Sequence, residues 1–361
     1  MLILFDENQE RNEYDSNIYY EDLLNEKDYG DIVFLHKSEE KIVIQDIKLN
    51  KKLVIKKESI GNIKKLVENN TNFNTLNGYG YKIGDYIEFD LYSFISVNLF
   101  DYNIMDNVIT FNIGNVKILI KSSSEMYRCL RNLEYGYETN TDDYVMTMSL
   151  YGITNNNYAD YVNMALFILR SIPKDEDNNT SIYGFIDEHI NDINFEDVRY
   201  NEVFYFYNEA MRIIDTEISV LYFYKIIEYF FLFIRKGDFK RIIDEYIVDK
   251  NIDSVITKLV KIYNEKEKFQ LKLLLESLED EIVELMTKAN SLNIISSPNI
   301  TDFAGELYSF RNSIVHGKSG DKFDLKLPNP LAKNNNELFW KDTVKSIAEI
   351  LIRKFCIKIK Y

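Results

Sequence analysis

Arg311, Asn312 and His316 are the residues whose types and spacing best suit chemistry, in the run Thr301-Asp-Phe-Ala-Gly-Glu-Leu-Tyr-Ser-Phe-Arg-Asn-Ser-Ile-Val-His-Gly317. A histidine titrates near neutrality and moves a proton to or from a ribose hydroxyl or a leaving oxygen. An arginine stays charged and grips a phosphate with two parallel donors. An asparagine holds the histidine tautomer or a phosphate oxygen. This set suits phosphodiester cleavage in RNA, because the 2′-OH of the substrate supplies the nucleophile; neither a carboxylate pair nor a metal is required. On an ideal helix Asn312 and His316, four residues apart, share a face. Arg311 lies roughly 140° round from His316. One copy therefore aims both side chains at one point only if the helix end unwinds. Two copies facing across a two-fold axis build a joint pocket with two arginines and two histidines.

The other candidates are weaker. Glu228 is a carboxylate within an apolar helix; it either supports Arg311 or pairs with Lys225 at the surface. Lys318 and Lys322 follow the motif and are candidates to hold RNA phosphates. His36, at a strand end, reads as surface. His189, near Asp187, Glu188 and Asp192, gives no recognised ligand spacing and reads as part of a polar helix face. Cys129 and Cys356 lie far apart with no CxxC pattern, which argues against a zinc site or a disulfide framework. Gly78-Tyr-Gly80 is too sparse for a phosphate loop. No metal and no cofactor are expected.

The elements that must position these residues divide the chain. The first part reads as short strands: 31–36, 41–47, 52–55, 86–100, 107–120 and 144–151, with a short helix over 60–67. Asn112-Ile113-Gly114-Asn115 reads as a hairpin turn. A helix is expected over 157–172, and the proline-led polar stretch 173–180 as a linker. From Asn201 the pattern is helical: 203–215, 216–235, 238–246, 252–263, 266–290, 301–315 and 337–357. Thr216 is the expected cap of the second of these helices and Gly237 its stop; Thr301 is the expected cap of the motif helix. Phe303, Leu307, Phe310 and Ile314 form its apolar stripe. The expected class is α+β: a β-rich region, sandwich or barrel-like, over 1–175, a connecting segment over 176–200, and an all-α bundle over 201–361.

The 361 residues are 46% hydrophobic, enough to bury sizeable cores, and the net charge is −15. A strongly acidic chain argues against broad nucleic-acid binding. The excess is local, however: residues 201–361 hold 24 basic and 24 acidic residues, against 19 and 34 in residues 1–200. A small basic site in the second half stays compatible with this balance. The apolar start turns acidic after five residues, unlike a signal peptide, and no apolar run is long enough to span a membrane. A cytoplasmic protein is expected, without membrane partners.

Arg311-Asn312-Ser313-Ile314-Val315-His316 resembles the R-N-x-x-x-H form of the R-x4–6-H motif of HEPN ribonucleases. The resemblance covers roughly residues 200–361, with a long early helix and the motif closing a late helix. With the β-rich, acidic front half, the layout is similar to ApeA-type abortive-infection proteins. The resemblance implies a metal-independent endoribonuclease that leaves 2′,3′-cyclic phosphates, a homodimer through the HEPN domain, and a role in anti-phage defence under a phage-derived trigger or regulatory protein. Arg311, His316 and Asn312 are then catalytic. Two alternatives stay open: a non-catalytic HEPN-like protein-binding module, and a toxin silenced by a separate antitoxin.

Overall fold

The computed structural model describes residues 2–5, 11–14, 32–37, 41–46, 49–56, 64, 67–68, 70–94, 109–135, 145–154, 157–170, 194–316 and 335–360. The chain divides into two compact units: Met1–Tyr161 with Ile172–Asp197 and Ile359–Tyr361, and Val162–Ser171 with Val198–Lys358. The expected linker 173–180, the loop after the motif, and His189 lie outside the described residues, as does most of the expected helix over 60–67.

The first unit is β-rich. Strands β1 (Leu2–Phe5), β2 (Arg11–Tyr14), β3 (Ile32–Lys37), β4 (Lys41–Asp46) and β5 (Lys51–Lys56) form a sheet in the order β2-β1-β3-β4-β5. Its β1–β3 pair is parallel and its other pairs are antiparallel. His36 is in β3, next to a register shift between Phe34 and His36. A second sheet holds β6 (Phe73–Thr75), β7 (Gly80–Ile83), β8 (Tyr86–Asp90), β9 (Ile109–Ile113), β10 (Val116–Ser122), β11 (Met146–Tyr151), β12 (Asn194–Phe195) and β13 (Ile359–Lys360). Its order is β13-β12-β9-β10-β11-β8-β7-β6.

Alternation builds the β9–β10 hairpin. Ile109, Phe111 and Ile113 are buried opposite Ile120, Ile118 and Val116. The turn is the two residues Gly114-Asn115, with Gly114 at φ 57°, a left-handed value that suits glycine in a primed hairpin turn. The expected strand 86–100 is shorter, because Tyr92 N–H donates to Asp90 and starts a turn. The described strands thus form two open sheets rather than one closed barrel. They share a core with a helix that sequence reading missed, α1 (Glu125–Tyr135): Ile44, Leu53, Tyr81, Tyr86, Met126 and Leu130 pack in one cluster. Glu88 is buried within the β8 face. It accepts hydrogen bonds from Tyr86, Thr147, the Ser124 hydroxyl and the Ser124 N–H at the start of α1, so the charge is compensated.

The second unit is a helical bundle. Its helices are the C-terminal part of α2 (Tyr158–Arg170), then α3 (Asn201–Arg212), α4 (Thr216–Phe230), α5 (Lys236–Asp249), α6 (Ile252–Tyr263), α7 (Glu267–Glu276), α8 (Glu279–Ser291), α9 (Ile300–His316) and α10 (Asn335–Phe355). The apolar helix α4 buries Val220, Phe223, Tyr224, Ile226, Ile227 and Phe230, packed on α3 and α10. Phe230 stacks on Phe355, and Trp340 of α10 packs on Phe303 and Phe310 of α9.

Several helix ends differ from expectation. Asp215, not Thr216, caps α4, its carboxylate accepting from Ile218 N–H at 2.9 Å. Gly237 does not stop that helix: α4 ends at Phe230, a 3-10 turn spans Phe233–Arg235, and Gly237 lies in the first turn of α5. The single helix expected over 266–290 is two, broken at Ser277-Leu278, where Leu278 at φ −117° leaves helical geometry. Asn299, not Thr301, caps α9, accepting from Asp302 N–H at 2.9 Å.

Candidate functional site

The site is built where α9 crosses α4 and α7. The apolar stripe of α9 buries Phe303, Leu307 and Phe310, with Ile314 half-buried. That seating brings Arg311, one residue past Phe310, against the two neighbouring helices rather than into solvent. The Arg311 side chain is 17% exposed.

Three helices converge on its guanidinium. Nη2 donates to Glu228 Oε1 of α4 at 2.8 Å. Nη1 donates to Asn312 Oδ1 at 3.1 Å and lies 3.6 Å from Glu267 Oε2 of α7. The guanidinium carbon sits 5.3 Å from the centroid of the Tyr224 ring, within cation–π range. Tyr224 OH in turn donates to Glu267 Oε1 at 3.1 Å. Tyr224 and Glu228 are four apart on α4 and so present one face to Arg311.

One cation faces two carboxylates here. Burial raises the Glu228 pKa, Arg311 lowers it, and Glu267 raises it; the net direction is upward. Burial first, then the Glu267 charge, push the Tyr224 hydroxyl well above its usual range, which keeps it a neutral donor. The guanidinium is thereby held in one orientation by a forked set of acceptors. A phosphate reaching Arg311 has to compete with those carboxylates.

The structure thus joins Arg311, Asn312 and Glu228. Glu228 pairs with Arg311; Lys225 lies over the Phe206 and Tyr222 rings and exerts only a minor field at Glu228. The Asn312 oxygen is engaged by Arg311. His316 is the last residue of α9, and its side chain lies outside the described residues, as do Lys318 and Lys322. Sequence reading missed Glu267 and Tyr224. Tyr224 carried a signal, being four residues before a carboxylate on the same helix. Glu267 carried none, because its partner is 44 positions away at Arg311.

Among the described residues no group of His, Cys, Asp and Glu is arranged to hold a metal ion, and no helix is long and apolar enough to cross a membrane. No protein-family model, curated protein or solved structure matches the chain.

Proposed function

We propose that the helical unit is a metal-independent endoribonuclease of the HEPN type that acts as a dimer in anti-phage defence. The observation that carries this reading is the guanidinium of Arg311, fixed by groups from α4, α7 and α9 five residues before His316. In the reaction, His316 takes the proton of the ribose 2′-OH. The 2′-oxygen bonds to phosphorus as the bond to the 5′-oxygen breaks, and the leaving oxygen takes up a proton. Arg311 offsets the charge that grows on the phosphoryl oxygens. The products are a 2′,3′-cyclic phosphate and a 5′-hydroxyl. Lys318 and Lys322 hold flanking phosphates in this reading.

The test incubates the full chain, His316→Ala and Arg311→Lys with total RNA in EDTA and analyses the new ends. Cleavage by the wild type with cyclic phosphate ends, reduced by about 100-fold or more in His316→Ala, is the expected result. Arg311→Lys keeps the charge but loses the fork, and a similar fall is expected; because the fork also ties α9 to α4 and α7, circular dichroism at the assay temperature checks that the variant is folded. Equal cleavage by wild type and His316→Ala sinks the assignment.

A second reading has its own observation: Arg311 is already matched by Glu228 and Glu267. In a protein-binding module this network would serve to pin α9 to α4 and α7, and none of these proteins would cut RNA.

A further inference from the structure

The two carboxylates at Arg311 are not equivalent. Glu228 Oε1 accepts a direct hydrogen bond from Nη2 at 2.8 Å. Glu267 Oε2 stops 3.6 Å from Nη1, beyond hydrogen-bond reach, and Nη1 donates to Asn312 Oδ1 instead. The other Glu267 oxygen accepts from Tyr224 OH at 3.1 Å. Glu267 is also the first residue of α7, whose N-terminus has no side-chain cap, so the helix dipole favours a negative charge there. Tyr224 and the helix end therefore hold Glu267, and Arg311 attracts it only across a gap.

A guanidinium has five N–H donors. Glu228 and Asn312 take one each, and the other three find no acceptor among the described residues. A phosphate can take these without breaking either hydrogen bond. It then lies beside Glu267, a like charge that no hydrogen bond to Arg311 neutralises, and like charges at such range repel strongly outside bulk water. Glu228 cannot be spared in the same way, since its bond to Nη2 orients the guanidinium. We propose that Glu267 limits the affinity of Arg311 for an RNA phosphate, and that Tyr224, by holding Glu267 off Nη1, keeps that limit from becoming a block. The ligand is taken from the nuclease reading, but the inference concerns binding and needs no catalysis. Both residues position and select; neither touches the reacting atoms.

The experiment measures binding of a short fluorescent single-stranded RNA, 2′-O-methylated throughout so that its 2′-oxygens cannot attack, to the full chain by anisotropy. Circular dichroism on each sample checks the fold. Glu267→Gln keeps an acceptor for Tyr224 and is expected to bind about 10-fold more tightly than wild type, with a smaller gain at high salt. A merely structural residue would weaken binding when changed. Tyr224→Phe keeps the ring over Arg311 but frees Glu267 to close on Nη1, and is expected to bind about 3-fold more weakly. The double variant is expected to bind like Glu267→Gln, because Tyr224 acts through Glu267. Glu276→Gln, at the other end of α7, controls for net charge and is expected to change binding by less than about 2-fold. Binding by Glu267→Gln that is no tighter than wild type overturns the proposal, as does a gain matched by Glu276→Gln or no measurable binding by any variant. Should Glu267→Gln not fold, Tyr224→Phe decides, and unchanged or tighter binding by it overturns the proposal. Cleavage is read separately on unmodified RNA: the binding pattern without cleavage removes the nuclease reading alone, and cleavage with unchanged binding in Glu267→Gln removes this one alone.

Discussion

Glu228 shows why charge at a single residue is not read from a formula. Its carboxylate accepts a short bond from Arg311, yet its pKa is raised, because burial and the neighbouring Glu267 outweigh the attraction. A raised folded value means that the fold disfavours the charged form. The resulting penalty is absent below the unfolded carboxylate pKa and grows as pH rises through the higher folded one. Glu228→Gln is therefore expected to melt no lower than wild type at pH 7, with a gain under about 1 kcal/mol because the group is part-exposed. That gain should vanish below about pH 4, where wild type is protonated as well. Thermal melts across pH decide it; a large loss in the variant at pH 7 would mean that the ion pair dominates. The same residues mark how far the site was legible. Arg311, Asn312 and Glu228 stood out by type and setting. Glu267 did not, since a glutamate opening a helix is ordinary, and only tertiary packing brings it to Arg311.

At the scale of elements, caps and breaks decide where helices begin and end. Asn299→Ala removes the acceptor of Asp302 N–H and should cost about 1 kcal/mol, while Thr301→Ala should cost less than about 0.5 kcal/mol. Denaturant unfolding of the two variants separates them; equal losses would return the cap to Thr301. Threonine and asparagine are both good caps two positions apart, so sequence alone does not choose between them. The break at Ser277-Leu278 was hidden for a different reason. Leu274, Leu275, Leu278 and Ile282 are all buried, so the apolar period runs on through the joint. Helix α1 was missed because it is short and opens two residues after a strand, although Met126, Tyr127, Cys129 and Leu130 bury one side of it. The strands β3, β4 and β5 were legible as short Val- and Ile-rich runs between charged turns, β9, β10 and β11 by alternation, and α2 and the later helices by helical spacing, except that α7 and α8 read as one.

At the scale of the whole molecule, the division into units runs through α2. Phe167 packs its ring on Tyr207 at 4.8 Å and on Phe204 at 5.6 Å. Asn208 donates to the Asn163 carbonyl and accepts from Arg170. A fragment cut at residue 201 strips these partners from α3. It is expected to be at least about 3 kcal/mol less stable than one starting at residue 157, or not to fold. Comparing the melts of the two fragments tests this; equal stability would show α2 to be dispensable. The β13–β12 pair joins two segments that flank the bundle in the sequence. Ile359 and Lys360 leave the ribosome after every helix of the bundle, and they are the partners of Phe195 and Asn194. Until they emerge, β12 is a bare edge beside β9, carrying an unpaired row of backbone donors and acceptors. The nascent front sheet therefore waits, open to pairing with a neighbouring nascent chain, through the whole time the bundle is being translated.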